Sequence, residues 1–127
     1  MKIVSVPILK NATMTGTVNS FGIDCCGQNQ FALASIQAVW TGATAAGTLT
    51  LQISDDDVPV NPASTSGNAD PAANVVNWST YTGSSETVSG PGNFLWNMVF
   101  VGFRWVRLSY TASSGTGSLS ATFSGKG

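Results

Sequence analysis

The sequence predicts an all-β domain, an antiparallel β-sandwich of about seven to nine strands, and three observations lead to that prediction. Short apolar runs alternate with clusters of Gly, Asn, Asp, Ser and Pro along the 127 residues. Charged residues make up only 9% of the chain, far below the roughly one quarter usual for soluble domains. Neutral Ser, Thr, Asn and Gly must therefore cover the surface, and these residues suit strands and turns better than helices. No helical period of comparable length competes with this pattern.

The predicted strands follow one another along the chain, and each is bounded by turn-forming residues. They are residues 3–9, 13–20, 32–41, 48–54, 76–81, 86–88, 93–97, 104–111 and 117–123. A chain of this length forms one domain by default. We assign residues 1–22 to an N-terminal strand or arm and residues 23–127 to the β-sandwich of the same domain.

Apolar alternation predicts which side chains of three strands are buried. Between Leu33 and Trp40, odd and even positions are both largely apolar, which indicates a central strand covered on two sides. Residues 48–54 and 118–124 alternate strictly, so their apolar side chains should face the core. These inward residues are Leu49, Leu51 and Ile53 in the first strand and Leu119, Ala121 and Phe123 in the second.

The strand over residues 104–110 combines apolar and cationic side chains. Alternation places three apolar side chains, from Val106 to Tyr110, on one face and Trp105 and Arg107 on the other. A guanidinium in that position can stack on an aromatic ring or pair with a carboxylate. We expect Arg107 to form a structural ion pair with the aspartates that follow residue 54, in preference to clamping a ligand.

One long loop is expected over residues 55–75, which contain three prolines and many Ala, Ser and Asn residues. Loops of this length in compact domains are usually functional, so this loop is the first candidate for a contact surface. Glycine-containing clusters at 83–85, 90–93 and 113–117 are typical of hairpin connections.

The composition argues against catalysis and against binding of nucleic acid. The chain has no histidine, which removes the commonest general base and metal ligand and every Ser-His or Cys-His pair. Most carboxylates cluster in one loop, where they cannot flank a sugar from two sides. With five basic residues and a net charge of −1, there is no electrostatic footprint for DNA or RNA. We predict a protein that is not an enzyme.

The cysteines and the N-terminus bear on the cellular compartment. Cys25 and Cys26 are adjacent, so their side chains point to opposite faces of an extended segment and are too far apart for a relaxed disulfide. Small thiols in a reducing cytoplasm are expected. The first ten residues contain Pro7 and end on Lys10 without a small-residue cleavage site, so we predict no signal peptide. No stretch is long enough to span a membrane.

Candidate ligand contacts lie in and near the long loop. Asp55, Asp56 and Asp57 could supply oxygen ligands to calcium, but acidic residues that leave a strand more often cap a turn. No cofactor is otherwise expected. Trp78 could form a flat platform for a sugar, whereas most tryptophans of a small sandwich fill its core. A contact surface made of Asp55, Asp56, Trp78 and Arg107 is therefore the candidate site.

Three segments together carry a local resemblance: residues 49–56, 77–79 and 104–108. In the same order, they are similar to the strand and aspartate loop, the tryptophan, and the late arginine strand of discoidin-like or galactose-binding-like β-sandwiches. The resemblance covers less than a quarter of the chain and implies a jelly-roll or galactose-binding-like sandwich more than it implies sugar binding.

A broader resemblance runs from Ile36 to Gly127. The segments that carry it are residues 37–42, 47–52, 78, 94–97, 102–107, 113–117 and 125–127. In these segments the chain resembles small structural proteins of tailed bacteriophage virions. The resemblance implies a capsid decoration, head-fibre or tail-appendage protein, assembled in the host cytoplasm and carried in the virion. The Cys25-Cys26 pair has no counterpart in this pattern.

These lines lead to one hypothesis and two alternatives. We expect a virion structural protein that acts by assembly, a homo-oligomer with a trimer favoured, docked on other virion proteins through its N-terminal segment and one sandwich edge. One alternative is a carbohydrate-binding or receptor-binding module with a possible glycan at the candidate site. The other is a fibre or adhesin domain of a bacterium.

Overall fold

A computed structural model describes residues 3–26, 31–61, 70–98 and 101–127 of the chain. These residues form ten strands in two antiparallel sheets that pack as a β-sandwich, which confirms the predicted all-β class. Ten exceeds the expected seven to nine because two-residue strands leave no periodic signal. In chain order the strands are β1 (Ile3–Thr13), β2 (Thr17–Asn19), β3 (Ile23–Asp24), β4 (Leu33–Thr41), β5 (Ala46–Ser54), β6 (Ser79–Thr80), β7 (Glu86–Ser89), β8 (Gly92–Met98), β9 (Trp105–Ser114) and β10 (Ser118–Lys126).

The first sheet has the strand order β1-β10-β4-β8, and the second has the order β2-β9-β5-β6. In the second sheet β3 also pairs with β9, and β7 also pairs with β5. No two strands that are neighbours in the sequence pair in the first sheet, so that sheet is built entirely from long-range pairings. Its edges are β1 and β8.

The core lies between the two sheets, where the strictly alternating strands point their apolar side chains. Leu49 and Leu51 on β5 and Leu119 and Phe123 on β10 have no exposed surface, as the alternation predicts. Since burial of each such side chain stabilises the fold by roughly 1.5–3 kcal/mol, these strands supply much of the driving force for folding.

The strand β4 departs from its prediction. It is central in its sheet, between β10 and β8, but only one of its faces is covered. Ile36 and Ala38 are fully buried, whereas Leu33 and Val39 are 42% and 48% exposed. The sequence pattern correctly shows apolar residues on both faces of β4. The prediction that both faces are covered is wrong, because no described residue packs on the outer face.

The glycine-rich turns also differ from the expected hairpins. Gly90 and Gly115, with φ of 77° and 74°, provide left-handed positions that favour glycine. The turns at 90–91 and 115–117 carry the chain from one sheet to the other, β7 to β8 and β9 to β10. The turn at 83–85 joins β6 and β7, which both pair with β5 and not with each other. Local turn chemistry fixes the bend but not the strand partner, which is why these predictions were wrong.

The long loop lies on the outer face of the second sheet. Its residues 62–69 are outside the described part of the chain, and its remaining residues form a second small core. Ala72, Val75 and the fully buried Trp105 make up this core, with Val58 and Trp78 packed against it. The predicted division of β9 is confirmed, because Val106, Leu108 and Tyr110 enter the main core from the other face.

Candidate functional site

The predicted contact residues Trp78 and Arg107 meet on the outer face of the second sheet. The guanidinium carbon of Arg107 lies 4.2 Å from the centroid of the Trp78 ring, so of the two contacts considered for this guanidinium it makes the aromatic one. Nε of Arg107 donates a hydrogen bond to Oε1 of Gln52 at 2.7 Å. Desolvation lowers the pKa of Arg107, and the negative charge of Asp70 acts in the opposite direction. The pair is a packing contact, and it covers one face of the Trp78 ring.

The ion pair predicted for Arg107 is formed by Arg104 instead. Nη1 of Arg104 lies 3.2 Å from Oδ1 of Asp57, and its Nε lies 3.6 Å from Oδ1 of Asp24. The backbone N–H of Arg104 also donates to Oδ1 of Asp55. Arg104 directly precedes β9 and lies beside the start of the loop, whereas Arg107 lies within β9, three residues further along, and stacks on Trp78. The sequence could not distinguish the two arginines, since both lie in the same run.

The carboxylate of Asp56 joins the two ends of the loop. Its Oδ2 accepts hydrogen bonds from the backbone N–H groups of Val76 and Asn77, at 2.8 and 2.9 Å, and its Oδ1 accepts one from Nδ2 of Asn77. These hydrogen bonds lower the pKa of Asp56. The indole N–H of Trp105 donates to the backbone oxygen of Asp56. Asp56 therefore caps a turn, which is the role that the sequence favoured over calcium binding.

The three aspartates at the start of the loop make contacts that stabilise the protein's own structure. Asp55, Asp56 and Asp57 each accept hydrogen bonds from different groups of the protein. Within the described ranges, no three His, Cys, Asp or Glu side chains are grouped so that they could hold a metal ion. Calcium binding by these residues stays a prediction.

The adjacent cysteines have opposite environments. Cys25 is fully buried and Cys26 is exposed, and the two are free thiols. Desolvation by burial, together with the nearby Cys26 and Asp24, raises the pKa of Cys25 to about 12. A buried thiol with that pKa is almost wholly protonated at neutral pH, which makes it a poor nucleophile.

A second candidate surface is the outer face of the first sheet, which the sequence reasoning missed. Leu33, Val39 and Leu95 are 42%, 48% and 54% exposed on it, among uncharged Ser, Thr, Gln and Asn side chains. Lys126 is the one charged residue that β4, β8 and β10 contribute. A shallow depression of about 310 Å³ opens on this face between Leu33, Asn97 and Lys126. The signal that could have revealed this surface was the two-sided apolar pattern of β4.

The charged groups are divided unequally between the two sheets. All six carboxylates of the chain lie on the second sheet or on the loop that covers it, in β3, in residues 55–57, at Asp70 and at the start of β7. The first sheet carries none. Its outer face therefore carries no negative side chain and is partly apolar, on the side of the sandwich opposite the acidic groups. In the described part of the chain there is no helix long and apolar enough to cross a membrane.

No protein-family profile matches the sequence, and no curated protein sequence matches it. Solved structures that share the fold include two phage-derived proteins. The PBSX exported protein XepA superposes with a TM-score of 0.60 and 19% identity, over 98% of this chain and 37% of the XepA chain. This chain therefore spans little more than a third of that protein.

The SPBc2 prophage-derived protein YomS superposes with a TM-score of 0.52 and 9% identity, over 98% of this chain and 96% of its own. At these identities the similarity establishes a common fold, shared with two phage-derived proteins. The discoidin-like resemblance is not supported by either structure and stays a prediction.

Proposed function

We propose that this chain is a non-enzymatic structural protein of a tailed-bacteriophage virion, which acts by assembling with itself and with other virion subunits. The observation that carries the proposal is the outer face of the first sheet, where Leu33, Val39 and Leu95 are exposed and where Lys126 is the one charge that β4, β8 and β10 contribute. Covering such a surface with a partner lowers the free energy, since apolar area leaves water and little charge must be desolvated.

The fold adds support of a coarser kind. Two phage-derived proteins have the same sandwich, which agrees with the resemblance of residues 36–127 to virion structural proteins. A fold alone does not define a function. This agreement therefore supports a phage role only in general terms, and the physical argument for assembly rests on the exposed surface. Capsid decoration, head fibre and tail appendage are all compatible with a neutral docking face.

Particle composition tests the proposal. Phage particles released from cells that carry the gene should be purified by density gradient, and the chain should be quantified in them by mass spectrometry. We expect a constant copy number per particle that survives repeated banding and is released by denaturant. The matched control is the gradient fraction at the same density from a strain in which the gene is deleted. Absence of the chain from particles of the undeleted strain would overturn the virion role.

A further inference from the structure

We propose that a second copy of this chain binds along the open edge of β8, so that two β8 strands pair antiparallel across a two-fold axis at Leu95. This inference rests on the proposed assembly function and deepens it, because it names one partner, a second copy, and one contact, the β8 edge, which leaves the outer face of the first sheet for other subunits. The two first sheets then join into one continuous sheet of eight strands. The symmetry is that of a dimer, in place of the trimer favoured from the sequence.

The edge of β8 lacks the protection that the other edges of the sandwich carry. The opposite edge strand, β1, contains Pro7, Lys10 and two register shifts, together with Asn11 at a positive φ of 51°. Proline, lysine and bulges are the usual means by which an edge is kept from pairing with another chain. In the second sheet the edge strands β2, β3, β6 and β7 have only two to four residues.

By contrast, β8 has seven residues, no proline and no charge, and it pairs with β4 in unbroken register. Among the described residues no strand pairs with its other side. Alternate backbone N–H and C=O groups of such a strand point outward, where a second strand can accept and donate hydrogen bonds. The edge is therefore an open template for pairing.

The side chains of β8 are complementary to themselves. Asn93, Leu95 and Asn97 are the exposed, outward residues of the strand, so the sequence is symmetric about Leu95. In an antiparallel pair centred there, Leu95 faces Leu95 of the second copy, and Asn93 faces Asn97 of the second copy. Directly opposed side chains contribute most to pairing, and here they are one apolar contact and two amide pairs. This symmetry selects a second copy over an unrelated strand.

The inner face of β8 holds the strand in place for this contact. Phe94 and Trp96 pack edge to face with their ring centroids 4.9 Å apart, and the indole N–H of Trp96 donates to the backbone oxygen of Ser84 at 2.7 Å. A strand that is already ordered loses little conformational entropy when a second strand joins it. The acidic groups lie on the other sheet, so they do not oppose the approach of two β8 edges.

Sedimentation of charge variants tests the pairing and its register. The wild-type chain should show a monomer–dimer equilibrium over micromolar concentrations. The double variant Asn93→Lys/Asn97→Lys places two lysine pairs face to face and should weaken the dimer roughly tenfold or more. The control Val60→Lys/Val76→Lys adds the same charge at exposed sites of the loop over the second sheet and should dimerise like the wild type.

A mixing experiment separates repulsion from loss of folding. The variant Asn93→Asp/Asn97→Asp should also be weakened, and an equimolar mixture of the Lys and Asp variants should form heterodimers with at least wild-type affinity. Circular dichroism checks that each variant is folded. Restored pairing in the mixture supports the inference even if one variant is less stable. A folded Lys variant that dimerises like the wild type would overturn it.

The outcome also distinguishes this inference from the proposed function. A wild-type chain that is monomeric at all concentrations, yet is a constant component of particles, overturns the β8 pairing and leaves the virion role intact. A dimer that is lost in the Lys variant, from a chain absent from particles, supports the pairing and overturns the virion role.

Discussion

The hydroxyl group of Tyr110 is fully buried and has no hydrogen-bond partner among the described residues. It lies against the Cα position of Gly47, where a Cβ would collide with it. An unpaired buried hydroxyl costs about 1–3 kcal/mol of stability. We therefore expect Tyr110→Phe to leave the free energy of unfolding unchanged or to raise it by about 1 kcal/mol, as measured by urea denaturation.

A bonded hydroxyl provides the matched control. Oγ of the buried Ser84 accepts a hydrogen bond from the backbone N–H of Leu51 at 3.0 Å. Ser84→Ala leaves that N–H unpaired and should lower the free energy of unfolding by about 1–3 kcal/mol. Destabilisation of similar size in both variants would contradict the assignment of Tyr110 as unpaired.

Cys25 makes the free energy of unfolding depend on pH in the alkaline range. Its pKa is raised from 9.0 to about 12 by burial, so above pH 9 the unfolded chain loses a proton that the folded chain keeps. Stability is therefore full below about pH 9 and falls as the pH rises toward 12. We expect the free energy of unfolding to decrease with a slope approaching about 1.4 kcal/mol per pH unit.

Denaturation of wild type and Cys25→Ala at several pH values checks this slope. The variant should be less stable at neutral pH because a cavity is left, but its slope between about pH 9 and 10 should be much smaller. Burial also raises the pKa of Tyr110 from 10.0, so both proteins should lose stability above pH 10. Equal slopes below pH 10 would show that Cys25 is not responsible.

At the scale of elements, the loop over the second sheet depends on the carboxylate of Asp56. Asp56→Ala removes the acceptor of the Val76 and Asn77 amides, so we expect faster hydrogen exchange at these two amides and a red shift of Trp105 fluorescence. Since hydrogen bonds lower the pKa of Asp56, the wild-type contacts are present above about pH 4 and are lost as the pH falls through the lowered value.

The neighbouring carboxylate of Asp57 serves as the control for this prediction. Its side chain is fully exposed in its ion pair with Arg104, and such surface pairs contribute little. Asp57→Ala should therefore leave the exchange of the Val76 and Asn77 amides unchanged. Similar acceleration in both variants would mean that charge near the loop matters, and not the specific acceptor.

Elements with strict periodicity could be predicted from the sequence, because burial of one face dictates their pattern. Leu49 and Leu51 on β5 and Phe123 on β10 follow this rule. The outer face of β4 does not, since Leu33 and Val39 keep an apolar pattern although no described residue covers them. An apolar pattern identifies side chains that could be buried, but it does not say what covers them. Under the proposed assembly, the cover of this face would come from another chain.

The strand partners and the candidate site were less accessible to sequence reasoning. A turn such as 90–91 bends the chain by local φ and ψ preferences, while the strand that β8 joins is set by packing far along the sequence. The same holds for Arg104 and Arg107. The sequence indicated that an arginine of this strand could pair with a carboxylate or stack on an aromatic ring. Only the position of the loop decides that Arg104 pairs with Asp57 and that Arg107 stacks on Trp78.

At the scale of the whole molecule, the two ends of the chain meet on one edge. Ile3 pairs with Lys126, and the pairing continues from there to Thr13 and Ser118 with two register shifts. This is contact between residues more than one hundred positions apart, and all other pairings of the first sheet are also long-range. Sandwiches dominated by such pairings fold on the scale of milliseconds to seconds, because loop closure costs entropy before contacts form.

A circular permutant tests whether this pairing limits the folding rate. A linker of about six Gly and Ser residues joins the two ends and turns β10 and β1 into a hairpin, and the new ends are placed at Gly83, an exposed turn position where a Cβ would meet no other atom. Because closure of the longest loop is no longer needed, we expect stopped-flow refolding to be roughly tenfold faster, with a smaller change in the unfolding rate. A permutant of equal stability that refolds at the wild-type rate would show that pairing of β1 with β10 follows the rate-limiting step, and that another long-range pairing governs it.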